Sequence, residues 1–246
     1  MIKMTKSAIR SVLNATPYAL QKRIPAPTFN AVGFGLSHFI SYCPAGTIVQ
    51  IGAYDGVSGD PVYDFVRRGQ LRAILVEPME MSFRKLQETY RGIDNVSLVQ
   101  AAIGHENGQA KMYRAKNVGR WLNDNWVGRV TSFDRKHLLR HGVRSNEIEE
   151  VNVEALSLRS LIVRFEIASA WFLQIDAEGF DAEVVEMALA LDATPDFINF
   201  EHSNLNSKSI QSVFGKLKGA EYSWIHSKVD TLAIHKRIKH QISWGG

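Results

Sequence analysis

A single cysteine, Cys43, is present among the 246 residues, so no disulfide can form within the chain and no metal can be held by several thiolates. A reducing compartment is compatible with that usage. No apolar run reaches the roughly 18–20 residues that a membrane-spanning helix needs. The basic start of the chain is not followed by the apolar core of about 7–15 residues that a secretory signal carries, and the expectation is a cytoplasmic protein. Acidic residues are missing from the first part: Asp55 is the earliest, while Lys3, Lys6, Arg10, Lys22 and Arg23 all precede it. Over the whole chain the imbalance is only +4, too mild to indicate nucleic acid as a partner. There are no internal repeats and no low-complexity tracts, which excludes fibrous and disordered classes.

With 45% hydrophobic and 22% charged residues, the composition is that of a soluble globular protein able to bury a full core. Residues 1–44 read as an N-terminal arm and linker, and residues 45–246 as the main domain. In the arm, Ile2, Ile9, Val12 and Leu13 fall roughly at helical spacing with Lys3, Lys6 and Arg10 between them. Such a basic amphipathic helix is expected to pack on the domain or on a partner subunit, as in a homodimer; the alternative is contact with an anionic membrane surface. Pro25 and Pro27 stiffen the link that follows.

From residue 47 short apolar runs alternate with helical stretches. Strands are predicted at 47–53, 73–78, 96–104, 171–179 and 196–202, with helices near 60–69, 79–91, 179–191 and 206–219. Nearly continuous apolar strands separated by helices imply a mostly parallel α/β sheet covered on both faces, with right-handed crossovers. Two last runs, 222–226 and 231–235, are predicted to add a terminal antiparallel hairpin and bring the sheet to seven strands. The stretch 105–155 breaks the alternation and carries Trp121, Trp126, Phe133, Arg114, Arg120, Arg129 and Arg135. It reads as an insertion forming a lid or substrate wall.

The first strand ends in Gly52-Ala53-Tyr54-Asp55-Gly56, and the second ends in Glu77. A glycine at a strand-to-helix turn allows close approach of a ligand, and an acidic group at the next strand end can accept from both hydroxyls of a ribose. The turn lacks the GxGxxG pattern that seats a pyrophosphate, and Asp55 would repel one. A phosphate-free adenosine carrying a sulfonium suits it better. The fourth strand ends in Asp176-Ala177-Glu178-Gly179 and the fifth in Glu201-His202. Asp176 and Glu178 can instead cap the helix that follows. Together with Glu201 they could also hold a hard divalent cation; the reading adopted uses no metal.

The strings VQIGAYDGVSGDP (49–61), LVEPMEMSFRKLQETY (75–90), AAIG (101–104), FLQIDAEGFDAEVVE (172–186) and INFEH (198–202) resemble successive motifs of the FkbM methyltransferase family, and TSFDRKHLLRH (131–141) and VNVEALSLRSLI (151–162) resemble its insertion. The likeness spans about residues 45–235. It implies a Rossmann-like class I methyltransferase fold with S-adenosylmethionine as cofactor. Gly52, Asp55 and Gly56 would then shape the methionine end of the site and Glu77 would bind the ribose. Pro78 and Met79 would lie beside the adenine, Ala101 and Ala102 would flank it, and Asp176 would sit near the amino group and the transferred methyl. Tyr54 departs from the asparagine usual there, and Arg159 from an acidic residue.

If the acceptor is a hydroxyl, a base must take its proton; the candidates are Asp176, Glu201 and His202, with His137 as an outsider. Cys43 precedes the first strand, away from the ligand edge, which argues against cytosine C5 methylation. The absence of an NPPY-like string after the fourth strand argues against methylation of DNA amino groups. The expected activity is O-methylation of a small molecule, a sugar or a polyketide-like natural product. A non-catalytic cofactor-binding module and a nicotinamide-dependent oxidoreductase are the alternatives.

Overall fold

The computed structural model describes residues 30–69, 71–116, 130–168 and 170–239; the basic helix expected in the arm, together with Arg120, Trp121, Trp126 and Arg129, lies outside them. Helix α1 (Ala31–Tyr42) leads into β1 (Thr47–Ile51), α2 (Tyr63–Arg67), β2 (Arg72–Val76), α3 (Glu80–Thr89) and β3 (Val96–Val99). A second group follows: β4 (Ala102–Gly104), β5 (Gly108–Ala115), β6 (Thr131–Ser132), α4 (Arg135–Arg140) and β7 (Ile148–Ser157). The chain then returns through α5 (Leu158–Arg164), β8 (Trp171–Ile175), α6 (Asp181–Leu189), β9 (Phe197–Glu201) and α7 (Ser207–Gly219). It closes on β10 (Tyr222–His226), β11 (Asp230–His235) and α8 (Lys236–Lys239).

The main sheet has seven strands in the order β10-β11-β9-β8-β1-β2-β3, with β11 antiparallel to both of its neighbours and the remaining pairs parallel. This is the mostly parallel, doubly covered sheet expected from the alternating pattern, in the Rossmann-like class I methyltransferase arrangement that the family resemblance implies. The central strands are buried on both faces, and alternate residues serve two cores. Val49, Ile51, Val76, Leu173, Ile175 and Phe200 pack against α5, α6 and α7. Ile48, Ala73, Leu75, Phe172 and Phe197 pack against α1, α2 and α3. That double burial explains why these strands read as unbroken apolar runs rather than as alternating ones.

Helix α1 falls within residues 1–44, yet Leu36 and Phe39 are fully buried under the sheet. The Phe39 ring lies 6.0 Å from that of Phe172 and 5.8 Å from that of Phe197. Side chains open several helices: Asn30 accepts from the Gly33 amide at 2.9 Å, Ser157 from the Ser160 amide at 3.1 Å, and Asn206 from the Lys208 and Ser209 amides, both at 3.0 Å.

Two sequence expectations need correction. The run 96–104 is not one strand. It breaks at Gln100-Ala101, leaving β3 in the main sheet and β4 in a separate four-stranded sheet ordered β4-β7-β5-β6. Val99 and Ala101 are buried on either side of the exposed Gln100, and hydropathy alone cannot mark the change of sheet. The insertion is likewise more than a loop: β5 and β7 pair antiparallel over eight residues, from Gly108 opposite Ala155 to Ala115 opposite Ile148. Among the described residues no helix is long and apolar enough to cross a membrane.

Candidate active site

Strand register builds the site. Ile51 pairs with Val76 on one side and with Ile175 on the other, so β1, β2 and β8 end level with one another. Gly52, Glu77 and Asp176 therefore meet at one edge of the sheet, where open α/β sheets bind ligands. A cleft of about 330 Å³ opens there, within the usual size range of small-molecule sites. Gly52, Tyr54, Glu77, Pro78, Ala101 and Asp176 line it from the main sheet side, and Ala102, Ile103, Met112, Thr131 and Phe133 line it from the second sheet side.

The turn after β1 has a backbone that few residues tolerate. Gly52 has φ +79°, and a Cβ there would stand 1.9 Å from the carbonyl oxygen of Asp176. Tyr54 follows with φ +49°, in the left-handed region where asparagine is the best-tolerated side chain after glycine. That accounts for the asparagine usual at this position. The loop beyond is fastened by polar contacts: Asp55 accepts from the amides of Val57 at 3.0 Å and Ser58 at 2.8 Å, and the Gln50 Nε2 donates to Asp60 Oδ1 at 3.1 Å.

Glu77 is buried, and each of its oxygens accepts one backbone bond, Oε2 from Tyr54 N–H and Oε1 from Met79 N–H, both at 2.9 Å. The first bond ties the carboxyl to the glycine turn itself, and both oxygens keep lone pairs. Burial pushes its pKa up to about 7 against the pull of those amides. Asp176 lines the cleft from the end of β8 and is exposed at its opening. Desolvation of its carboxyl at the crowded sheet edge and then the neighbouring carboxylates of Glu178, Asp181, Glu201 and Asp230 raise it above the usual carboxylate range. Asp181, wholly buried in the first turn of α6, rises to about 7 from burial and from Glu201.

Not every expected residue reaches the cleft. Asp55 is spent on its own turn. Gly56 (φ +71°) faces away, where a Cβ would meet Tyr90 at 2.6 Å and Leu86 at 2.7 Å, so it serves the packing of α3. Met79 packs with Ala102, Met112 and Val153 behind the cleft wall. Glu201 accepts from the Ser203 hydroxyl, and the His202 Nδ1 lies 3.0 Å from the Thr231 hydroxyl; neither residue lines the cleft. The cause is β11, whose first residue, Asp230, pairs with Glu201 and draws the end of β9 toward the terminal hairpin. Asp176 and Glu178 do not cap α6: its N-cap is Phe180, with no side-chain bond, and Asp181 accepts from the Gly179 amide at 3.3 Å. Arg159, where an acid is common, donates to Asp192 at 3.0 Å on the surface.

Phe133, named in the predicted wall, does line the cleft, while sequence reasoning passed over Met112 and Thr131, which strand pairing within the insertion brings in. Beside the cleft, His137 on α4 lies with its Nε2 3.1 Å from Glu178 Oε2 and 3.1 Å from His141 Nε2. The two histidines are four residues apart and share a helix face, a signal available in the sequence.

The comparisons with known proteins come to bear on this geometry. The description "Methyltransferase FkbM domain" matches residues 50–229. No curated protein matches the chain. Among solved structures, methyltransferase FkbM from Methylobacillus flagellatus aligns at 11% identity with a TM-score of 0.46, covering 78% of this chain and 44% of that one. The chain thus spans less than half of the length of that protein. An O-methyltransferase from Bacillus cereus in complex with SAH aligns at 11% identity with a TM-score of 0.43, covering 92% and 87%. A human methyltransferase 10 domain containing protein aligns at 10% identity with a TM-score of 0.40, covering 93% and 94%. The family match runs from the strand that supplies the glycine turn to the hairpin that closes the sheet, and on it the chain belongs to the FkbM methyltransferase family.

Proposed function

We propose that the chain transfers a methyl group from S-adenosylmethionine to a hydroxyl of a small molecule, a sugar or a natural product. The observation that carries the cofactor is the Glu77 carboxyl, fixed beside the Gly52 turn by two amides at 2.9 Å, with lone pairs left for a ribose diol. The apolar wall of Ala101, Ala102, Ile103 and Met112 suits an adenine, and Asp176 suits a cationic methionine end. No GxGxxG cradle for a pyrophosphate is present, which disfavours a nicotinamide.

Bound S-adenosylmethionine supplies an electrophilic methyl with an excellent leaving group. The protein is left with positioning, exclusion of water and handling of one proton. Of Asp176, Glu201 and His202, Asp176 is the one that lines the cleft, where its ionised carboxyl can accept a hydroxyl proton. Met112, Thr131 and Phe133 form the wall against which an acceptor would lie.

Thermal unfolding with S-adenosylmethionine, S-adenosylhomocysteine and NAD tests the reading, since a ligand that binds only the folded state raises its stability. The first two should raise the midpoint and NAD should not. Glu77→Ala, with its fold checked by circular dichroism, should weaken S-adenosylhomocysteine at least about tenfold, the loss of one good charged hydrogen bond. Unchanged affinity in that variant, or stabilisation by NAD alone, would overturn the proposal. Cofactor binding without methyl transfer to any hydroxyl acceptor would leave a binding module.

A further inference from the structure

The side wall of the cleft carries a group of ligating atoms that the methyl-transfer reading leaves unused. His137 Nε2 stands 3.1 Å from Glu178 Oε2 and 3.1 Å from His141 Nε2, and the three ligating atoms all lie within 4.8 Å of one another. We propose that His137, His141 and Glu178 form a binding site for one divalent first-row transition metal ion of the zinc class.

Distances support this first. With metal–nitrogen bonds of about 2.0–2.1 Å, two ligands of one ion are separated by about 2.9 Å in a right-angled arrangement and by about 3.4 Å in a tetrahedral one. Both 3.1 Å edges fall between these limits. The remaining edge joins two partly buried side chains, which can close it by small torsional changes.

The bonding pattern without a metal is also strained. A carboxylate only accepts, so the hydrogen on His137 Nε2 points to Glu178, and the Nε2 of His141 faces that same hydrogen. One hydrogen then serves two acceptors at the end of a ring that is 1% exposed. A cation in place of that hydrogen would satisfy all three atoms.

The backbone is shaped for the convergence. Glu178 has φ +48°, a conformation that costs a non-glycine residue energy and that clusters at functional sites. Its carbonyl is held by the Ser132 hydroxyl at 2.8 Å, which ties the loop to the second sheet. Gly179 comes next at φ +94°, and a Cβ there would press on His137 Nδ1 at 2.9 Å, so only glycine lets the loop lie on the imidazole.

The field favours a cation. Glu178 brings its carboxylate to the two rings, and Asp134 lies 3.6 Å from Arg140. The opposing charge is Arg140, whose Nη2 is 3.4 Å from His137 Nδ1 and whose side chain is 58% exposed. It must turn outward when Nδ1 carries the ring proton. Two imidazoles and one carboxylate select zinc-like ions over magnesium or calcium, which prefer oxygen. A three-ligand set also keeps positions open for water or another oxygen ligand. The proposal does not depend on the cofactor: either can fail alone.

The experiment is titration of chelator-treated protein with Co²⁺, read by its visible d–d absorption, followed by displacement with Zn²⁺. One equivalent should bind, Zn²⁺ should displace it, and a hundredfold excess of Mg²⁺ should not. His141→Ala and Glu178→Gln, both at partly exposed positions, should each weaken Zn²⁺ by more than about 100-fold, beyond the 10–100-fold seen when only a group that orients a ligand is lost. Arg140→Ala should tighten it. Parent-like Zn²⁺ affinity in His141→Ala and Glu178→Gln, absence of d–d bands, or displacement by Mg²⁺ would overturn the assignment.

Discussion

Replacing Gly52 by alanine tests whether the site rests on a close contact between two strand ends. The added methyl would lie 1.9 Å from the Asp176 carbonyl oxygen, on a residue with φ +79°. The left-handed backbone alone costs a non-glycine residue about 1–2 kcal/mol. The overlap adds about 1–3 kcal/mol, typical of overpacking, because Asp176 cannot withdraw while its amide donates to the Ile51 carbonyl at 2.9 Å. The sum is about 2–5 kcal/mol, or a fall in Tm of roughly 4–20 °C for a chain of this length. Gly59 is the control: its φ is +74°, but a Cβ there meets nothing within 4 Å, so Gly59→Ala should cost only the backbone part, about 1–2 kcal/mol. Urea unfolding of both variants, with m unchanged, isolates the difference. Equal costs within about 0.5 kcal/mol, the scatter of neutral substitutions, would refute the claim that the Asp176 carbonyl forces glycine at position 52.

Two further outcomes follow from buried charge. Glu77 titrates near 7 in the folded protein against an ordinary value of 4.5, so it is largely protonated at pH 6 and ionised at pH 8. Ribose hydroxyls donate best to the ionised form, so calorimetry should find S-adenosylhomocysteine bound about tenfold more tightly at pH 8 than at pH 6; flat affinity across that window contradicts the assigned role. The same shift works in the opposite direction on folding: stability from the protonated carboxyl is full below 4.5 and is lost as pH rises through 7. Asp196 is 4% exposed and is paired with Arg237 of α8, so Arg237→Ala should cost about 3–5 kcal/mol in urea unfolding by stranding a buried carboxylate, and a loss below about 1 kcal/mol would show the pair to be dispensable.

The features legible in the sequence are those set by local pattern. The runs 47–51, 72–76, 171–175 and 197–201 announce doubly covered strands, and the level ends of the first three place Gly52, Glu77 and Asp176 together. What was hidden depends on distant partners. The register of β5 on β7 decides that Met112 faces the cleft, and no property of residue 112 alone announces it. His202 follows a strand end just as Asp176 does, yet it belongs to the hairpin because an antiparallel neighbour claims that end of β9. The break at Gln100-Ala101 lies inside one apolar run, since Val99 and Ala101 are buried on either side of a single exposed residue. The meeting of His137 with Glu178 joins residues 41 positions apart and needed the fold to be seen.

The place of β11 between β9 and β10 has a bearing on biogenesis. As the polypeptide leaves the ribosome, β8 and β9 can pair as soon as they emerge, but β10 has no neighbour until residues 230–235 arrive. Until then Phe197–Glu201 offers its bare flank to any passing β-segment. A product truncated before Asp230 should therefore precipitate or be captured by chaperones.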